Sequence, residues 1–235
     1  IIDMLQAECA AGANGGSVTP WRPCTVKNIR FSDAGQRETV HSRYELESGR
    51  GTVSVDALVI ATGGLSIPKI GATDFGYRVA RQFGIRLVET RPGLVPLTFD
   101  GDAWEPWAQL AGLALPVGIE TGARKTKGAF VEDLLFTHRG LSGPAVLQIS
   151  SYWQPGTPIR MDLAPGVNLA EELATAKQRS RKLIANELAS LMPSRLADAW
   201  VQRDPGWQRP VSDATDKALA RLADSLSRWE LIPTG

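Results

Sequence analysis

Hydrophobic positions change their spacing along the chain, and each spacing predicts a different element. Ile2, Leu5 and Cys9 recur at helical intervals with Ala7, Ala10 and Ala11 between them, which predicts a short helix stopped by the glycine cluster at 12–16. From Cys24 to Phe31 the pattern alternates loosely. Asp33-Ala34-Gly35 reads as a turn, 40–46 as a returning strand, and Ser48-Gly49-Arg50-Gly51 as a second turn into a strand at 52–55. These segments predict a small antiparallel ribbon. Ala57-Leu58-Val59-Ile60-Ala61-Thr62 differs in kind, because a continuous apolar, β-branched run suits a strand buried on both faces, as in a parallel sheet; it stops at Gly63-Gly64. Beyond Pro68, Thr73 or Asp74 can cap a helix through Phe75, Val79, Ala80 and Phe83 that ends at Gly84.

From Arg91 the texture changes. Segments 94–99, 113–120, 130–137 and 159–163 are short and apolar, separated by Gly, Pro and charged turns, and predict a small β-barrel or sandwich. Residues 142–153 interrupt them with a helix, since Pro144 fits a first turn and Val146, Ile149 and Trp153 share a face. A helical region follows: Leu169, Leu173, Ala176, Leu183, Leu188 and Leu191 mark a helix ending at Pro193, 196–201 a second, and Ala218 to Trp229 a third.

Composition narrows the classes. With 43% hydrophobic and 22% charged residues the chain is neither disordered nor collagenous nor a coiled coil. Its longest uncharged apolar run, near 57–65, is far below the roughly 20 residues of a membrane span. No basic-then-apolar leader opens it. Cys9 and Cys24 are the only cysteines and form neither a C-x-x-C pair nor a disulfide framework, which predicts a reducing, cytoplasmic setting and no metal site. Lys and Arg against Asp and Glu number 16 to 16 through Ala164 and 10 to 9 from Pro165 onward, a balance that argues against DNA or RNA as partner.

The strongest chemical signal is Ala61-Thr62-Gly63-Gly64 at the end of the apolar run. There backbone N–H groups and absent Cβ atoms let a phosphate-bearing ligand approach closely; strand-to-turn glycines also occur in many α/β proteins with no ligand. The wider stretch 57–84, with Leu94-Val95-Pro96-Leu97 and the run from Leu134 through Thr137-His138-Arg139-Gly140-Leu141-Ser142-Gly143-Pro144-Ala145, resembles the bacterial YhiN/BaiN-type flavoproteins, predicted NAD(P)- and FAD-dependent oxidoreductases. The resemblance runs almost end to end. It implies a mixed α/β and α+β fold: a partial FAD-binding domain of the glutathione-reductase type at 1–90, an inserted β-barrel substrate domain at 91–166 rejoined by 229–235, and a helical subdomain at 167–228. It implies FAD held by Val26 near the adenine and by Ala61, Thr62, Gly63 and Gly64 along the pyrophosphate and ribose, with NAD(P)H as a possible reductant. Gly71-Ala72-Thr73-Asp74-Phe75-Gly76 is similar to the family's Thr-Gly-Asp-Gly helix start, with Phe75 inserted. The Gly-x-Gly-x-x-Gly turn and the Gly-Gly-Tyr-Asn segment that complete such a flavin site are not in the sequence. The chain therefore reads as the middle of a longer enzyme, and alone it is expected to bind FAD poorly.

Within the insert, His138 and Arg139 are the candidate catalytic pair. His138 offers an imidazole for proton transfer, and Arg139 a guanidinium for an anionic substrate or cofactor phosphate; equally, both suit a strand-turn-helix junction as partners for backbone groups. The substrate class expected is a small molecule. Gly140-Leu141-Ser142-Gly143-Pro144 misses the nucleophile elbow because Pro144 stands where Gly is needed, and with only His41 and His138 available a hydrolase triad has little support. Arg124-Lys125-Thr126-Lys127 reads as a solvated hairpin tip, Lys177, Arg179, Arg181 and Lys182 as a solvated helix face, and the tryptophans as core. Two other classes stand against the enzyme: a non-catalytic module recognising a protein or RNA, and a structural role with the helices as an oligomer face.

Overall fold

A computed structural model describes residues 1–9, 16–32, 43–122 and 127–235, and the chain divides into two units at 1–89 and 90–235. The predicted glycine stop at 12–16 lies mainly outside the described residues. So do the turn at 33–35, the start of the returning strand at 40–42, and Arg124, Lys125 and Thr126.

In the first unit, α1 (Ile2–Glu8) forms as its spacing predicts, yet it buries none of its side chains. The ribbon is an antiparallel meander of β1 (Val26–Phe31), β2 (Tyr44–Ser48) and β3 (Gly51–Val55), with Ser48 opposite Gly51 across the turn and Phe31 opposite Tyr44. Helix α2 (Phe75–Gln82) packs against it. Gln82 Nε2 donates to the Ile29 carbonyl at 2.5 Å, Tyr44 stands edge-on to Phe83, and Ile29 and Val79 are the buried pair beneath. Gly84 ends this helix with a positive φ of 69°.

The apolar run 57–62 does not form the strand its composition predicts. It makes no backbone hydrogen bond with any described residue, and Val59 is 83% exposed. A strand buried on both faces exists only between neighbouring strands that satisfy its N–H and C=O groups, and the described residues of this unit supply none.

The second unit is built on a six-stranded antiparallel sheet with the order β4 (Leu97–Thr98), β7 (Gly140–Ser142), β6 (Gly128–Thr137), β5 (Ala114–Thr121), β8 (Ile159–Asp162), β9 (Trp229–Leu231). Alternation places Leu115, Val117, Ile119, Leu134, Phe136, Ile159 and Met161 in the interior. Helix α4 (Pro144–Ser150) covers β5 and β6 with Val146 and Ile149, both fully buried. The curl is nearly closed. Beyond β9, Thr234 N–H donates to the Thr98 carbonyl at 2.9 Å and Thr98 N–H to the Gly235 carbonyl at 2.7 Å, so the last residues meet the first strand. A barrel-like sheet removes the edges that an open one exposes.

Helices α5 (Leu169–Arg179), α6 (Ile184–Leu188), α7 (Ser194–Val201) and α8 (Asp216–Ser227) form the helical subdomain. Two differences from the sequence reading have local causes. The helix expected over 169–191 breaks after Arg179, where the Ser180 hydroxyl donates to Glu187 at 2.6 Å and accepts the Lys182 N–H at 3.1 Å, offering the backbone an alternative to helical bonding. The stretch 101–108, whose Gly101 and Pro106 read as loop, is a further helix, α3 (Gly101–Ala108), because it buries Trp104 and Trp107 three residues apart.

Tryptophans join sheet to helices. Trp229 of β9 lies 4.7 Å from Trp107 and 5.2 Å from Trp200 of α7 between ring centroids, and stacks on Phe136 of β6 at 6.1 Å. Arg203 lies over Trp107 and Trp200, and burial against them draws its pKa below the usual guanidinium value. Trp229→Ala is expected to lower the unfolding free energy by about 3–5 kcal/mol, against about 1 kcal/mol or less for Trp21→Ala at the exposed Trp21; urea denaturation of the two variants checks the contrast.

Candidate functional site

The glycine turn and the His-Arg pair fall in different units, and the geometry of each is set locally. In the first unit, 61–64 is exposed, and its peptide groups form no backbone hydrogen bond with any described residue. Gly63 has a φ of 72°, and a Cβ there would meet nothing within 4 Å, so this side of the turn is open. The other side rests on the start of α2. A Cβ on Gly76 would lie 3.2 Å from the Thr62 hydroxyl, and one on Gly64 would lie 3.2 Å from the Tyr77 hydroxyl. The sequence therefore places glycines where turn and helix start approach most closely, and leaves uncommitted N–H groups on an open face. Such an arrangement suits a phosphate. Thr73 Oγ1 accepts the Phe75 N–H at 3.4 Å, and Asp74 pairs with Arg78 at 3.0 Å, so the motif around Phe75 forms a helix start despite the insertion.

Val26 sits elsewhere. It opens β1 and lines a pocket of about 380 Å³ with Trp21, Cys24, Leu46 and Val53, whose walls include none of 61–64. Of the five expected cofactor residues, the structure gathers four in one turn and leaves Val26 in a second place.

In the second unit, His138 and Arg139 are the two exposed residues of the turn between β6 and β7. Neither side chain makes a hydrogen bond or ion pair with a described residue. The junction is held by other groups. Thr137 Oγ1 donates to the Gly140 carbonyl at 2.8 Å, Trp104 Nε1 to the Thr137 carbonyl at 2.9 Å, and Phe99 N–H to the Arg139 carbonyl at 3.2 Å. The neighbouring glycines answer to packing: a Cβ on Gly140 would stand 2.0 Å from the Leu97 carbonyl oxygen, and one on Gly143 2.7 Å from that of Asp133. The turn thus presents an imidazole and a guanidinium, neither with a partner among the described residues, on a backbone held by these bonds.

Sequence reasoning missed a third feature. A groove of about 660 Å³ runs over β6, β5 and β8 beside the end of α8, with Gly118 and Phe130 among its lining and Glu120, Arg160, Asp162 and Arg228 as charged members. Arg160 donates to Glu230 at 2.8 Å, which raises its pKa. The available signal was Gly118, a glycine inside an otherwise apolar strand; such positions mark close approach.

One unit with a near-closed sheet and a helical subdomain, and another whose glycine turn abuts a helix start, make a mixed α/β protein with a barrel and helical insert. Residues 91–235 match the family model described as the HI0933-like protein barrel and H2TH domain, and the chain belongs to this family. Over its whole length it is 36% identical to a Haemophilus influenzae protein named ribosomal RNA dihydrouridine synthase, covering 56% of that protein. It is 39% identical to the Escherichia coli K12 protein of the same name, covering 55%. The chain thus spans about half the length of the curated relatives it matches. No helix among the described residues is long and apolar enough to cross a membrane.

Gly140→Ala is expected to destabilise the second unit by about 2 kcal/mol or more, since its methyl group cannot coexist with the Leu97 carbonyl. His138→Ala and Arg139→Ala should stay within about 0.5 kcal/mol. Equilibrium unfolding in urea separates the two outcomes.

Proposed function

We propose that the chain is the central part of a flavin-dependent oxidoreductase that reduces uridine to dihydrouridine within ribosomal RNA. The observation that carries this reading is the similarity, over the whole chain, to two proteins named ribosomal RNA dihydrouridine synthase. The names move the substrate from the small molecule expected from sequence to an RNA. The overall charge balance that argued against nucleic acid describes the sum over the chain and not the distribution over its surface.

Reducing the uracil 5,6 double bond adds a hydride to one carbon and a proton to the other. A bound FAD, once reduced by two electrons from NAD(P)H, would supply the hydride. The residues present fit one side of such a group: the open face of Gly63 and the uncommitted N–H groups of Ala61, Thr62, Gly63 and Gly64 would face its phosphates, and Gly76 lets the turn rest on α2. The remaining phosphate contacts, and the strands that would flank 57–62, belong in this reading to the rest of the polypeptide. On the insert, Arg139 would hold an RNA phosphate, and the imidazole of His138 would deliver the proton that the second carbon takes up. Both roles use side chains with no competing partner among the described residues, on a turn whose backbone is fixed by Thr137 and Trp104.

The test uses the full-length protein. It should purify with flavin and restore dihydrouridine to ribosomal RNA from cells lacking the gene. Gly63→Val should lose flavin, whereas His138→Ala should keep the flavin spectrum and lose turnover by about 10²-fold or more. A full-length protein that binds flavin but forms no dihydrouridine would overturn the activity, and an active His138→Ala would remove His138 from it. The 235-residue chain alone should show no stoichiometric flavin absorbance.

A further inference from the structure

In the helical subdomain, most basic side chains without a partner among the described residues lie in one place. From Pro165 onward the chain has ten basic residues. Five are engaged: Lys177 with Asp216, Arg221 with Asp204, Arg228 with Asp224, Arg195 with the Gln109 carbonyl, and Arg203 with the rings of Trp107 and Trp200. Of the other five, four are Arg179, Arg181, Lys182 and Arg209, all exposed and without an ion pair among the described residues. The fifth is Lys217.

Arg181 and Lys182 do not lie on a helix with Lys177 and Arg179, as their spacing suggests. Because α5 ends at Arg179, Arg181 and Lys182 lie on the extended connector to α6. The connector pairs antiparallel with the segment before the 211–213 turn: Leu183 lies opposite Pro210, Ile184 N–H donates to the Arg209 carbonyl at 3.0 Å, and Val211 N–H to the Lys182 carbonyl at 2.9 Å. Ile184 and Val211, both fully buried, anchor the pair to the core. The backbone is thus fixed while the cations project into water. Acidic groups close by include Glu187, which accepts from Ser180, Asp213, which accepts from Ser212, and Asp216, which is neutralised by Lys177. They leave an excess of positive charge.

We infer that this two-segment tip, Arg179, Arg181 and Lys182 beside Arg209, is a phosphate-backbone binding site for the RNA substrate. The inference rests on the RNA reading above. An enzyme acting on one base in a large RNA needs contacts that fix register away from the reacting base, and phosphate contacts supply this without reading sequence. Cations without protein partners release phosphate counterions at no cost in broken ion pairs. Chain-wide neutrality is compatible with such a site because net charge is a sum over the chain and does not describe its local distribution.

The experiment measures binding of full-length protein to an unmodified ribosomal RNA transcript at several salt concentrations, with steady-state kinetics. The double variant Arg181→Glu/Lys182→Glu should weaken binding about 10-fold or more at low salt and flatten the log K against log[salt] slope by about 1.5–2. KM for RNA should rise, while kcat, flavin content and the thermal transition stay unchanged. Arg209→Glu, on the opposite segment, should act in the same direction. Unchanged binding and slope in the double variant would overturn the tip while leaving the activity standing. Unaltered protein that neither binds the transcript nor forms dihydrouridine would instead overturn the RNA reading itself.

Discussion

The second unit depends on where the chain returns to its own sheet. After four helices, α8 hands the backbone to β9, and Trp229 enters the interior against Trp107, Trp200 and Phe136. That one residue belongs to the sheet by its backbone and to the helical subdomain by its ring. The residues just beyond it then bond to Thr98 of β4, so the strand that begins the sheet and the segment that ends it are joined. A curl fixed in this way presents the β6–β7 turn on a rigid rim. The tight backbone contacts at Gly140 and Gly143 follow from the same constraint, as does the exposure of His138 and Arg139 at the tip.

Much of this was legible because periodicity reports burial. Strands β5, β6 and β8 form where short apolar strands were read, α4 begins at Pro144, and Trp104, Trp107, Trp200, Trp207 and Trp229 fill the core. The misses have physical causes. Helix α3 hid behind Gly101 and Pro106, whose local preference lost to the burial of two indoles. The 169–191 helix was over-extended because leucine spacing continues through a break that Ser180 makes with its hydroxyl. Residues 57–62 were read correctly as apolar and β-branched, but a pattern records what a segment needs and not whether its neighbours are present. The chemistry was half legible: the glycine turn does sit on a helix start, but nothing in the sequence showed that Arg181 and Lys182 leave the helix and meet Arg209. That juxtaposition is a product of the fold.

The two units therefore differ in kind. The second has a continuous core reaching from β4 through the helices to β9. The first buries chiefly Ile29 and Val79 and leaves exposed an apolar helix and an apolar segment. Residues so hydrophobic are costly in water unless covered. In the proposed enzyme the rest of the polypeptide covers them, and the strand it completes carries the glycine turn to the flavin. The first unit of the proposed enzyme would contribute half of a cofactor site and the second a substrate platform.

Hydrogen exchange tests this most directly. In the 235-residue chain the amides of 57–62 should exchange at nearly the rate of an unfolded peptide while those of β5 and β6 are strongly protected. In the full-length protein 57–62 should become protected to the level of a central strand. Strong protection of 57–62 in the 235-residue chain, or its absence in the full-length protein, would contradict the account.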